Sequence, residues 1–244
     1  MIQGDNNYII INSDGRQWKK NLKDWRFPGL LVQIYGSNNT ITVHKCIRCQ
    51  GTQILIGTPD CPNNNAVIEI GPNSFFENNI IHVNYGDGQK LSVGAEAMIQ
   101  RCSIALTEQS KCFIGTGCLF GTGVSIRGND GHTVFDSQTG QIINGEISKC
   151  IIGNHVWVGR NVTILKKAII PDNSIVAECS VVTEPFLEKG ILLAGVPAVV
   201  KKTGVNWDKR PPSYFLKYGI NPNTEKPFLK NESKTVDVQE KGAQ

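Results

Sequence analysis

Between Cys150 and Thr183 the apolar positions recur every six residues. Ile152, Val158, Ile164, Ile170, Val176 and Val182 are branched aliphatics in an unbroken register. The fifth residue of each unit is small or β-branched (Val156, Val162, Ala168, Ser174, Ser180). The third and fourth are polar almost throughout (Asn154, His155, Arg160, Asn161, Lys166, Lys167, Asp172, Asn173). A helix face needs an apolar residue every three to four positions and a strand every second, so neither explains a period of six. A solenoid does: each unit is a short strand and a bend, and one coil buries its interior only by stacking on the next. The branched aliphatic points inward, the small residue sits where backbones crowd at the bend, and the polar pair faces water at the corner.

Upstream the repeat is looser. Aliphatic–glycine dyads recur at Ile56-Gly57, Ile70-Gly71, Val93-Gly94 and Ile114-Gly115, and Ile114, Phe120 and Ile126 again step by six. Irregular gaps between these groups read as loops leaving a continuing coil. Residues 1–33 read as N-terminal strands and a cap, with the segment from Trp18 to Trp25 as a short helix or a cover for the first coil, whose outer side has no neighbour. The β-helix proper is expected over 34–202, and 203–244 form a C-terminal extension too poor in apolar residues to pack beyond about 229. After His132 the six-step register slips, so the polar, glycine-rich segment up to Lys149 is expected to protrude. The fold class is therefore all-β, a parallel solenoid with one loop excursion and a short irregular tail.

Composition adds bounds. Between Lys149 and Arg210 nine basic residues face five acidic ones, which places the whole net charge of +4 on the regular repeat and its exit. An anionic ligand suits that stretch, whereas a nucleic-acid surface calls for a denser patch with interleaved aromatics. Eight cysteines are scattered without a paired framework, so free thiols are expected. The N-terminal residues show no basic leader pattern and the longest apolar run, 191–200, is too short to span a bilayer. A cytoplasmic protein is the expectation.

The segments IGNHVWVGRNVTI, SIVAECSVVT and LLAGVPAVVKK, preceded by IR-x-x-DGH-x-x-FD, resemble the hexapeptide-repeat acyltransferases, and within them the bacterial sugar O-acetyltransferases of capsule and lipopolysaccharide. The resemblance covers residues 91–202 well and the N-terminal coils loosely. It implies a left-handed parallel β-helix, although general crossover physics favours the right hand. It also implies acetyl-CoA as donor, a sugar or polysaccharide acceptor, and a homotrimer with active sites between subunits.

On that resemblance His132 is the general base, taking a proton from the acceptor hydroxyl as it attacks the thioester directly, without an acyl-enzyme. Asp130 or Asp136, or a backbone carbonyl, is expected to orient the imidazole. Strand alternation turns Trp157 outward between inward Val156 and Val158. The resemblance puts this indole in the cleft where donor and acceptor meet, with the backbone N–H near Gly159-Arg160 facing the thioester oxygen. It assigns Ala177, Glu178, the chain to Ser180 and Thr183 to the pantetheine and Lys202 to the coenzyme phosphates, and the charge excess there adds Lys201 beside it. Three positions depart from the family: Glu178-Cys179 replaces Ala-Gly, Glu184 stands where lysine is common, and Val199 where arginine is common.

Metal chemistry is not expected. His44, Cys46, Cys49 and Cys61 lack a second Cys-x-x-Cys pair, and the four histidines (His44, His82, His132, His155) lack the close spacing of a three-histidine site. Two other functions fit the same pattern: N-acetylation of a nucleotide-linked amino sugar, and a non-catalytic, sugar-binding solenoid.

Overall fold

The computed structural model describes residues 1–13, 15–44 and 47–224. Met1–Asn206 form one compact unit and Trp207–Gln244 a second. In the first unit three eight-stranded sheets make the faces of a triangular solenoid, and successive strands visit the first, second and third sheet in turn. Neighbouring coils pair in parallel and in register: Ile114 lies beside Ile152, and Ile152 beside Ile170. On the third sheet Phe120, Val158 and Val176 form another such row.

The six-residue pattern maps onto this geometry directly. All six aliphatics from Ile152 to Val182 are buried, as are Val156, Val162, Ala168, Ser174 and Ser180 at the bends. The fourth residue of each unit turns the corner in the left-handed backbone region, with φ of 52° at His155, 54° at Asn161, 68° at Lys167, 58° at Asn173 and 59° at Cys179. Asparagine tolerates that conformation better than most residues, which accounts for its recurrence there.

The stack begins earlier than residue 34. Ile2–Gln3 already pairs with Ile34–Tyr35 on the first sheet, and Tyr8–Ser13 with Thr40–His44 on the second. Its corner is held by buried polar side chains: Asn39 Nδ2 donates to Asn7 Oδ1 at 3.0 Å, and Asn63 Nδ2 to Gln89 Oε1 at 3.0 Å. Arg16–Asn21 is a strand, not a helix, and pairs antiparallel with Tyr8–Ser13 to close the second sheet. Leu22 is buried beyond it, and Trp25 and Phe27 pack on the core. At the other end Leu192–Gly195 and Ala198–Lys202 form a hairpin on the third sheet, and Val205 N–H reaches Gly190 O at 2.8 Å, carrying the unit to residue 206.

The second unit contains one helix, Pro212–Tyr218, opened by proline and closed by Gly219 at φ 60°. Asp208 and Arg210 pair at 2.9 Å, and the guanidinium lies over the Tyr214 and Phe215 rings. The tail expected to lack structure from about 229 falls outside the described residues.

Candidate active site

Residues 128–148 leave the solenoid at the corner between the first and second sheets, after Ser125–Arg127 and before Lys149–Ile152. The insertion costs the stack nothing, because Lys149 to Ile152 return in register with Lys111 to Ile114. Within it the chain folds back as a hairpin: Asp136 N–H donates to Gln141 O at 2.8 Å, and Ile143 N–H to Val134 O at 2.9 Å. His132 stands at its base and lines a cleft of about 270 Å3 with Glu108, Gln109, Asn129, Thr133 and Asn144. The imidazole is exposed, and no described side chain hydrogen-bonds to it.

Neither candidate carboxylate orients that ring. Asp136 Oδ1 caps the hairpin turn, accepting from Thr139 N at 2.7 Å, Thr139 Oγ1 at 2.9 Å and Gln138 N at 3.0 Å. Those donors, the Thr139 amide foremost, hold its carboxyl below the usual aspartate range. Asp130 accepts from the Lys166 ammonium and, at 2.8 Å, from Asn144 Nδ2. The lysine above all lowers its pKa. Both serve the loop's shape instead.

Asn144 was not foreseen from sequence. Its amide group donates to Asp130 Oδ2 and to the His132 carbonyl, each at 2.8 Å, while its Oδ1 accepts from Val134 N at 2.8 Å. One side chain thus fixes both strands around the histidine. Lys166-Lys167, on the next coil at the same corner, grip the loop through Asp130 and through Glu146 at 2.6 Å.

The residues assigned to the coenzyme sit elsewhere. Trp157 is 43% exposed on the third sheet, between Leu119 and Ile175. Gly159 follows at the corner between the third and first sheets, where a Cβ would meet the Glu178 N at 2.7 Å, so that only glycine fits. Its N–H is already spent on Val176 O at 2.8 Å, whereas the neighbouring Arg160 amide has no protein acceptor among the described residues. Arg160 grips Glu178 one coil below with two bonds, 3.0 and 3.3 Å. The carboxylate that departs from the family pattern is therefore neutralised locally. Ala177 lies on the same corner, its N–H bound to Leu193 O at 2.8 Å. Lys202 pairs with Leu192, which follows Ile175 and Trp157 across the third sheet. Three strand spacings, about 14 Å, separate it from the indole. Lys201 is exposed beside it. Thr183 is different: it leaves the first sheet toward the corner that carries the loop. A single chain thus brings together Trp157, Gly159, Arg160, Ala177, Glu178 and Lys202, and keeps His132, Asp130 and Asp136 on another edge of the prism.

None of the described cysteines forms a disulfide with another, and Cys102, Cys112, Cys118 and Cys150 are buried in the core. Burial pushes the Cys102 thiol up to about 12. Among the described residues no three His, Cys, Asp or Glu side chains gather around a metal position. Cys46 lies outside them. No described helix is long and apolar enough to cross a membrane.

Comparison with known proteins gives this geometry a family. Residues 149–184 match the bacterial transferase hexapeptide (six repeats). The chain is 30% identical over 164 residues to the polysialic acid O-acetyltransferase of Neisseria meningitidis, covering 67% of this chain and 68% of that one. It is 29% identical over 161 residues to the polysialic acid O-acetyltransferase of Escherichia coli O1:K1, but there spans only 51% of the relative's length. Among solved structures, the polysialic acid O-acetyltransferase OatWY superposes with a TM-score of 0.74 at 26% identity, over 91% of this chain and 96% of that one. The polySia-specific acetyltransferase NeuO superposes with a TM-score of 0.70 at 24% identity, over 88% and 96%, and shares the fold. The chain belongs to the hexapeptide-repeat transferases, and within them it is a left-handed parallel β-helix acetyltransferase.

Proposed function

We propose that the protein moves an acetyl group from acetyl-CoA to a hydroxyl of a polymer of sialic acid, in the cytoplasm where the donor is made, with His132 as general base. His132 accepts the hydroxyl proton as the oxygen attacks the thioester carbonyl. The tetrahedral intermediate then collapses, the carbon–sulfur bond breaks, and the departing thiolate takes up a proton. The Arg160 amide is the donor best placed on its corner to receive the oxyanion. Lys201 and Lys202 receive the coenzyme phosphates.

One observation carries this reading: His132 lines an open cleft with its ring free of partners among the described residues, while the candidate coenzyme residues lie on a different edge of the same chain. A threefold assembly, in which the loop corner of one copy meets the third sheet of the next, completes the site. The outward row Phe75, Met98, Leu119, Trp157, Ile175 and Leu192 offers an apolar surface for such a neighbour.

The test is thiol release from acetyl-CoA with polysialic acid as acceptor, alongside light scattering. His132→Ala should remain trimeric and lose about 10² to 10⁴ in turnover, the usual contribution of positioned proton transfer. Parental turnover in the variant removes His132 from the mechanism. A monomer mass at micromolar protein removes the shared site.

A further inference from the structure

The first outward residue of each strand on the second sheet forms a row beside the loop corner. Its members are Tyr8, Thr40, Val67, Lys90, Lys111 and Lys149, in register from coil to coil. The last three are lysines one strand spacing apart, about 4.8 Å. Like charges side by side on one sheet face repel, so such a row weakens the stack unless something anionic lies across it. Only Lys90 has an acidic partner, Glu69 at 3.0 Å, and that pair is partly exposed. Among the described residues neither Lys111 nor Lys149 has one. The position next in line, Lys167, is held by Glu146.

This row leads to the catalytic cleft. Lys111 follows Gln109 by two residues and Lys149 follows Ile147 by two, and both Gln109 and Ile147 line the cleft with His132. Alongside the lysines runs a parallel outward row, Ser92, Phe113 and Ile151, whose last two members offer an apolar strip to the carbon faces of sugars. Two acidic groups oppose an anion nearby, Glu69 on the sheet and Glu108 at the cleft, and Lys90 offsets the first.

We infer that Lys111 and Lys149, with Lys90 behind them, form a track that binds the acceptor polymer through its carboxylates and feeds one sugar hydroxyl to His132. The occupant is a sugar chain with one carboxylate per unit, which rests on the acceptor proposed above. A regular row of cations matches regularly spaced anions, and long chains engage several rungs at once, so the track favours polymer over short acceptors.

The experiment compares the parent with the double variant Lys111→Gln and Lys149→Gln, at about 0.05 M salt where exposed charges are weakly screened. Acceptors are polysialic acid of tens of units and a sialic acid dimer. The KM for the long polymer should rise about three- to thirty-fold in the double variant, the range expected for two exposed charge contacts. The KM for the dimer and for acetyl-CoA, and the turnover, should stay within about twofold. Added salt should raise the parent's KM for polymer and move the variant's much less. The lysine-to-arginine pair should restore the parental KM. Removing the repulsion should leave thermal stability equal or higher, so loss of fold is not the expected route to failure. Equal KM for polymer in parent and double variant overturns the track while leaving the acceptor intact. A parent that neither binds nor acetylates the polymer overturns both, and equal losses on dimer and polymer assign the lysines to a general role.

Discussion

Replacing Asn144 by alanine removes the three hydrogen bonds that tie together the two ends of the hairpin carrying His132, to Asp130, to the His132 carbonyl and from Val134. The loop is water-exposed, so each bond is credited at the low end of the usual range, about 0.5 kcal/mol, which gives about 1.5 kcal/mol for holding the loop closed. That figure corresponds to roughly a tenfold shift toward open loop conformations. Because productive geometry is lost in the open state and the closed population falls by at most that factor, turnover with saturating acceptor should fall by up to about 10-fold. Thermal stability should barely change, since the loop contributes no side chain to the hydrophobic core and Asn144 itself is not buried. Asn144→Asp is the sharper variant: it keeps an oxygen for Val134 but loses the donor and sets a second carboxylate against Asp130. Its turnover should fall below that of the alanine variant. The assay is thiol release with parallel hydrogen exchange of residues 128–148. An Asn144→Ala enzyme with parental turnover, or one whose loop exchanges no faster, refutes the positioning role.

Two further outcomes follow from charges at the same two edges. Lys201→Ala with Lys202→Ala should raise the KM for acetyl-CoA more than it lowers turnover, and an unchanged coenzyme KM places the phosphates elsewhere. The Asp130 carboxyl, lowered mainly by Lys166, anchors the loop fully above the ordinary aspartate value of about 3.9, and the anchor is lost as pH falls through the lowered folded value. Hydrogen exchange in 128–148 should therefore accelerate below about pH 4 in the parent, and Asp130→Asn should show that faster exchange already at neutral pH.

The solenoid was legible in sequence wherever its inward residues are aliphatic. From Ile152 to Val182 each coil is three hexads, so residues 18 apart stack, as Arg160 on Glu178 and Asn154 on Asp172 do. The first coils hid because their corners bury polar groups: Asn7, Asn39, Asn63 and Gln89 are inside and satisfied by one another, which a hydrophobic period does not register. The loop's existence was readable from the slipped register, but not its hairpin. Its apolar residues Phe135, Ile142 and Ile143 are exposed and have no inner face to alternate against. The partners of Asp130 were equally hidden, since Lys166 lies 36 residues away and meets it only because both occupy one corner. The lysine row was obscured for the same reason, its members being separated by unequal loops.

This arrangement separates what holds the protein together from what it does. Stability comes from repetition: each inward aliphatic packs between copies above and below, so the core is the same at Ile114 as at Ile152, although they are 38 positions apart in sequence. On the proposed reading, chemistry comes from the corner where residues 128–148 interrupt the repeat, and from outward positions that the register fixes without needing their identity. Because the strand resumes in register after the interruption, the loop is free to vary in length and composition without disturbing the rows on either side. The same freedom explains why the buried residues point to the fold and the exposed ones to the reaction. If the proposed track is right, a corner insertion is where such a solenoid can change its acceptor, because the rows on either side keep their register, and the outward lysine row leading to it is where it gains a preference for long chains.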